Sequence, residues 1–280
     1  MKKVLNKQVK THKEYCFLYY FILSMIVYIC SDKGDNMYKK SYSILAYLIS
    51  ISIIFIILVT SIQINAFRHQ FYESEYERLQ TAQSINVPSE DLKKATTALL
   101  DYLENKREDL QVDIHVRGNV VQAFNRKEIL HMEDVKNLYQ NVINIRSICY
   151  YIILFGILYL CIKLKRETIS YLALRFIKTS LCFFVFVAFL VTYAIVDFNS
   201  FWTIFHHIFF TNDLWLLNPA TDFMILMFPE SLFFQLVLRI AACFIIGFVG
   251  LFVLCLYLLK KEMLTFSARN SITLERDETR

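Results

Sequence analysis

Residues 41–66 read SYSILAYLISISIIFIILVTSIQINA, a run without one charged side chain. A helix rising 1.5 Å per residue needs about 20 apolar residues to cross roughly 30 Å of hydrocarbon, so this run is long enough to span a bilayer. Residues 147–162, 175–197 and 233–259 meet or approach the same requirement. The run at 147–162 is the shortest, but Tyr150 and Tyr151 extend it at one interface and Lys163 can snorkel at the other. The whole chain agrees: its 280 residues are 56% hydrophobic and 16% aromatic, with five glycines and three prolines, and the mean hydropathy is +0.41. That excludes disorder and collagen-like sequence and is too apolar for an ordinary soluble domain. Thirty Lys and Arg against 25 Asp and Glu give no electrostatic case for nucleic acid as a partner. The expected fold is mainly α: a polytopic membrane protein with four transmembrane helices and a small extracytoplasmic α+β domain.

Short-loop charges orient the spans. Lys39 and Lys40 precede the first, Lys163, Lys165 and Arg166 lie between the second and third, and Lys260 and Lys261 follow the fourth, whereas Phe198 to Phe234 contains no Lys or Arg. The positive-inside rule therefore puts the N-terminus, residues 163–174 and the tail 260–280 in the cytoplasm, with 67–146 and 198–232 outside. A further apolar run, Cys16 to Cys30, would invert every later loop if it spanned. Lys33-Gly34-Asp35-Asn36 before Met37 is compatible with the codons AAA GGA GAT AAT, a strong bacterial ribosome-binding site, so translation is expected to start at Met37. Residues 1–36 would then be an untranslated extension; the alternative is an interfacial or signal-like helix. The seven cysteines all lie in apolar runs and none lies in the expected outer domain, which argues against a disulfide framework.

Within 67–146, residues 67–84 are expected to continue the first helix until Pro88 breaks it, and Ser89 with Glu90 and Asp91 signals a new helix start. Leu92, Leu99, Leu100 and Leu103 form one face of that helix. Leu110, Val112, Ile114 and Val116 alternate with polar residues, Gly118-Asn119 reads as a turn, and Val120 to Phe124 as a returning strand. Asn125 with Glu128 forms a capping-box pattern for a third helix, with Leu130, Val135, Leu138 and Val142 on its apolar side.

Two regions hold residues capable of chemistry. His131 has Glu128 and Asp134 three residues away on either side, and a carboxylate on its face would orient the imidazole and stabilise its protonated form; the alternative is a solvated surface histidine. The second region, 198–232, is too aromatic for a free loop, and its prolines and acids are wrong for a fifth span. It is expected at the outer interface or re-entering between helices. A helix there would surround His206 with Trp202, Phe209 and Phe210, and desolvation would favour the neutral imidazole that a general base requires. An aromatic belt with polar anchors is the alternative.

Phe205-His206-His207-Ile-Phe-Phe-Thr-Asn-Asp213-Leu-Trp215, Asn218-Pro219-Ala-Thr-Asp222 and Phe228-Pro229-Glu230-Ser-Leu-Phe-Phe234 together resemble the signature of the bacterial lipoprotein intramolecular transacylases, the Lit family of integral membrane proteins. Glu128-Ile-Leu-His131-Met-Glu-Asp134-Val-Lys136 resembles that family's other conserved stretch, and the similarity covers about residues 41–262. A second histidine follows His206, and residues 1–36 have no counterpart.

The resemblance implies movement of the sn-2 acyl chain of a diacylglyceryl-cysteine lipoprotein to its own α-amino group, giving lyso-form lipoprotein at the outer face of the bacterial cytoplasmic membrane. Partners would be diacylglyceryl-modified lipoproteins and membrane lipids, with no cofactor and no metal. His206 would be the base and His131 the acid, or the reverse. Glu128, Asp134, Asp213, Trp215, Asp222 and Glu230 would position substrate or support the histidines. Arg239, about two turns into the fourth span, would meet Glu230 or a substrate carbonyl, or snorkel at the interface. Two rival classes are a thiol acyl-enzyme at Cys149 and a membrane sensor or metal-binding protein using His131, His206 and His207.

Overall fold

The computed structural model describes residues 37–278, so the expectation for residues 1–36 lies outside the described residues. In chain order the elements are α1 (Met37–Ala66), α2 (His69–Leu79), α3 (Thr81–Ser84), α4 (Ser89–Leu103), β1 (Asp113–Val116), β2 (Asn119–Gln122), α5 (Arg126–Leu164), α6 (Thr168–Val196), α7 (Phe198–Phe209), α8 (Phe223–Met227) and α9 (Glu230–Glu278). Among the described residues the fold is mainly helical with one small sheet, and three continuous stretches are long and apolar enough to cross a membrane: Ser41–Ala66, Arg126–Val196 and Glu230–Glu262.

The second stretch contains both α5 and α6 and therefore both central runs of the sequence, 147–162 and 175–197. It is not one rod. A 3₁₀ turn at Lys165–Glu167 joins the helices, Lys165 adopts φ 52°, and Thr168 Oγ1 donates to Leu160 O at 3.1 Å. Eight residues of straight helix would separate those two positions by about 12 Å, so the chain turns here.

The described residues form two compact units, one of residues 37–53, 151–199 and 249–278 and the other of residues 54–150 and 200–248. In the described part of the first, Ala46, Ile49 and Leu160 form a buried centre with Leu45, Ile157, Tyr171 and Leu172 packed around it. Gly156 permits this packing, because a Cβ there would lie 2.8 Å from Ile49 Cδ1.

The second unit is built on a larger core in which Phe71, Leu92, Leu99, Leu110, Ile114 and Phe124 meet Met224, Met227 and Leu232 from the far end of the sequence. α1 stops at Ala66 instead of running on to residue 84. The stop lets Phe71, Tyr72 and Tyr76 turn into this core, and the Tyr72 hydroxyl donates to Ala66 O at 2.7 Å. On α4, Leu92, Leu99 and Leu100 are buried as the spacing requires, and Leu103 packs at the margin.

The hairpin turn is Arg117-Gly118, one residue earlier than the sequence suggests. Both residues have positive φ, 51° and 83°, and Val116 pairs with Asn119 across them. That two-residue geometry matches the right-handed twist of the strands, and it places glycine second while leaving Arg117 in a left-handed conformation.

α5 starts with the expected reciprocal cap. Asn125 Oδ1 accepts from Glu128 N at 3.1 Å, and Glu128 Oε2 accepts from Asn125 N at 2.8 Å. In its amino-terminal part, residues 126–146, the buried positions, however, are Glu128, His131 and Met132, whereas Leu130, Leu138 and Val142 are only partly buried. The helix turns a polar face inward.

Candidate active site

α7 is inside out. Its buried residue is His206, while Ile204, Phe205, Ile208 and Phe209 are exposed. A helix in water would bury those apolar side chains and solvate the imidazole, so this pattern fits an element whose outer side meets lipid. The His206 ring lies between two indoles, with centroids 4.4 Å from Trp202 and 4.4 Å from Trp215, the latter stacked at 22°. Phe205 and Phe210 complete the cage, at 5.4 Å and 5.9 Å. Phe209, expected beside His206, packs on Phe205 instead.

The local helix fixes the protonation of this ring. His206 Nδ1 lies 2.8 Å from Trp202 O, one turn back. A carbonyl only accepts, so Nδ1 carries the proton and Nε2 keeps its lone pair. Burial lowers the His206 pKa from its ordinary value, with the Trp202 hydrogen bond acting against that shift and His207 adding to it.

His131 shares an aromatic neighbour with His206, for its ring meets Phe210 edge-on at 5.5 Å. It too is buried, and burial, reinforced by the charge of His206, pushes its pKa down to about 4. The amino-terminal part of α5 that carries it also bears Arg126, Lys127, Glu133, Asp134, Lys136 and Arg146, a composition that excludes hydrocarbon. Among the described residues the buried His131 Nδ1 atom has no hydrogen-bond partner.

Neither carboxylate beside His131 in sequence holds that ring. Glu128, fully buried, accepts from Met224 N at 2.6 Å through Oε1 and from Asn125 N through Oε2. Burial raises its pKa, opposed by those backbone donors. Asp134 accepts from Asn212 Nδ2 at 2.9 Å. The two acids of the α5 motif therefore clamp the 198–232 segment onto α5, and the expectation of a carboxylate-held His131 is replaced by one of a carboxylate-held loop.

Asp222 works from the other side of the clamp. Its Oδ1 accepts from Asn125 Nδ2 at 2.8 Å and Thr221 Oγ1 at 2.9 Å, and its Oδ2 accepts from Asn218 N at 2.7 Å. Lys127 Nζ lies 3.8 Å from Asp222 Oδ2. The backbone donation from Asn218 contributes most to holding the Asp222 carboxyl below its usual range. Asn218-Pro-Ala-Thr-Asp222 is thus a turn tied to the cap of the helix that bears His131.

Trp215 stacks on His206, and among the described residues its buried Nε1 has no hydrogen-bond partner. His207 is exposed and meets Trp215 edge-on at 5.7 Å. Asp213 is exposed, and its carbonyl accepts from Leu216 N at 3.1 Å. Glu230 is exposed in the first turn of α9, where a negative charge favours the helix N-terminus. The Arg239 guanidinium lies 4.9 Å from the Phe71 ring centroid, and no ion pair joins it to Glu230 among the described residues; nine residues of helix separate the two by about 13 Å. Sequence reasoning missed Asn212, Lys127 and Phe210 as the shared ring, because their partners lie some 75 to 95 residues away along the chain. Among the described residues no three His, Cys, Asp or Glu side chains converge as a metal site.

The family described as lipoprotein intramolecular transacylase Lit matches this chain over residues 47–234. The chain belongs to the Lit family. The solved structure of the membrane integral lipoprotein intramolecular transacylase Lit from Bacillus cereus is similar with a TM-score of 0.63 and 21% identity, over 81% of this chain and 99% of that one. Two variants of that protein, with a histidine replaced by arginine or by alanine, match with TM-scores of 0.62 and 0.63 at 21% identity, over 81% and 82% of this chain and 96% and 100% of theirs. No curated protein matches the chain. This Lit family member therefore shares the fold of those membrane-integral relatives, with both family stretches inside the matched region.

Proposed function

We propose that this chain transfers the sn-2 acyl group of a diacylglyceryl-modified lipoprotein from the glycerol oxygen to the α-amine of the same molecule's N-terminal cysteine. The observation that carries the reading is a buried pair of neutral imidazoles meeting at Phe210, one with its tautomer fixed and the other with an unsatisfied Nδ1. Family membership supports the reaction class. The exposed apolar side chains of α7 suit acyl chains at a membrane face. In this reading four spans cross the bacterial cytoplasmic membrane, two of them from Arg126–Val196, and residues 67–146 and 198–232 lie on the outer side.

An α-amine has an ordinary pKa of about 8, so a fraction is neutral at pH 7. That amine attacks the sn-2 ester carbonyl, and His206 Nε2 takes the proton released from nitrogen. The tetrahedral intermediate collapses with cleavage of the bond to the sn-2 glycerol oxygen, which receives the proton from His206. The products are an amide and a free hydroxyl, with no net change in protons. His131, with its pKa near 4, holds no spare proton at neutral pH and instead donates a hydrogen bond to the oxyanion as neutral imidazole. This modifies the expectation of a protonated acid at that position. Because amine and ester belong to one molecule, correct placement alone supplies up to about 7–11 kcal/mol of the barrier reduction, and no enzyme nucleophile is required.

The test is expression in a bacterium that makes diacylglyceryl lipoproteins, followed by mass spectrometry of a lipoprotein's N-terminal peptide. Wild type should give the N-acyl, S-monoacylglyceryl product, and His206→Ala should give none. An unchanged lipid pattern with expressed wild type would overturn the assignment.

A further inference from the structure

The hairpin of the second unit has one edge that the protein covers and one that it leaves open. In the register Asp113↔Gln122, Ile114↔Val121, His115↔Val120 and Val116↔Asn119, a two-residue turn makes Val116↔Asn119 a hydrogen-bonded pair, and the pairs then alternate. His115 and Asp113 on β1 accordingly point main-chain groups away from β2, and α4 occupies them. His115 N donates to Asp91 Oδ2 at 2.7 Å, and Lys94 Nζ donates to Asp113 O at 3.0 Å.

By the same alternation, Val120 and Gln122 on β2 direct their N–H and C=O groups to the other edge. Among the described residues nothing bonds to these groups. All four β2 residues are exposed, with Val120 at 61% and Val121 at 41%. Edge strands are ordinarily protected by charges, proline, a bulge or a covering element; Asn119-Val-Val-Gln122 carries no charge and no proline.

This edge leads to the site. Gln122 is followed by Ala123 and Phe124, both buried, with Phe124 against Phe223 at 6.3 Å, and then by Asn125, which binds Asp222. Four extended steps to Arg126 and five helical steps to His131 make at most about 21 Å between the Cα atoms of Gln122 and His131, the reach of about six extended residues.

We propose that the open edge of β2 pairs, by antiparallel strand addition, with the extended peptide that follows the lipidated cysteine of the substrate. The inference rests on the acyl-transfer reading, which places that cysteine at His206 and His131. The β2 strand runs toward the site, so a peptide leaving the site runs antiparallel to it. Main-chain pairing is indifferent to side-chain identity, as required where reaction occurs at the first residue and the following sequence varies between substrates.

The test uses full-length protein in detergent with two synthetic diacylglyceryl-cysteine peptides, one of three residues and one of twelve. Val120→Pro removes one outward donor without touching the bonds between β1 and β2. The long peptide should show a KM about five- to tenfold lower than the short one, from one or two added main-chain hydrogen bonds. Val120→Pro should erase that advantage and leave short-peptide kinetics unchanged. With wild-type protein, N-methylation of alternate amides at positions six to ten of the long peptide should erase it too, a readout independent of any folding defect in the variant. Equal KM for both peptides, or an advantage that survives N-methylation in both alternations, would overturn the proposal while conversion of the short peptide still upholds acyl transfer. Conversion of neither peptide by wild type would overturn both.

Discussion

Replacing Glu128 with alanine should release the loop that carries the turn at Asn218 to Asp222. Glu128 is fully buried and receives the amides of Met224 at 2.6 Å and Asn125 at 2.8 Å. The Met224 bond is buried and the Asn125 bond is partly so. Stranding a buried donor costs about 1–3 kcal/mol, so we assign about 2 kcal/mol to Met224 and about 1 to Asn125. Glu128→Gln keeps one acceptor oxygen and should lose about half as much. Hydrogen exchange read by mass spectrometry is the direct assay. A local loss of about 2 kcal/mol speeds exchange at Met224 roughly thirtyfold, with a smaller gain at Asn125 and none on the exposed face of α4. Acyl transfer should fall in parallel, because the same segment holds Trp215 against His206. Unchanged protection at Met224 in Glu128→Ala would refute the clamp, and faster exchange with undiminished activity would refute its role in positioning the site.

The pH dependence of kcat/KM should show two limbs: a slope near +1 below the amine pKa of about 8, then a steeper one where His206 gains a proton. Burial lowers the His206 pKa, so that second break belongs below 6.5; a break at or above 6.5 would contradict the cage. Trp215→Phe retains a ring against His206 but removes the unpaired Nε1 donor, and kcat should drop about ten- to a hundredfold with KM little changed if that N–H contacts the reacting carbonyl; unaltered kcat would assign Trp215 to stacking alone. Gly156→Leu forces a side chain against Ile49, already 2.8 Å from the position of a Cβ, and should destabilise the first unit by about 1–3 kcal/mol. A thermal melt in detergent that matches wild type would show that α1 and α5 have room to move apart.

Much of the architecture follows from local composition. The runs at 41–66 and 233–259 announce their helices because hydrocarbon tolerates no unpaired backbone polar groups, and each lies within a continuous stretch of the required length. The Asn125–Glu128 cap and the buried leucines of α4 depend on spacings of three and four residues, which a sequence displays directly. The end of α1 was not visible, since nothing local to Phe67 and Arg68 shows that Phe71, Tyr72 and Tyr76 will be drawn into a core completed by Met224 and Met227. The hairpin turn moved by one residue for a similar reason: Arg117 accepts a left-handed backbone because the paired strands impose it.

The sequence by itself determined that this is a membrane protein of mostly helical structure, that its chemistry-bearing residues fall in two separated stretches, and to which family those stretches are similar. Only the tertiary structure decided what each residue in them does to its neighbours. Glu128 and Asp134 stand one turn from His131 along the chain, yet they bind Met224 and Asn212, because a carboxylate drawn wholly or partly out of water satisfies itself with whichever donors the fold brings within about 3 Å. His131 and His206, 75 positions apart, come to share Phe210, and the unsatisfied Nδ1 of His131 depends on that burial, whereas the His206 tautomer is set by Trp202 one turn back on its own helix. Spacing along a helix sets which faces are available; distance in space sets which bonds are made.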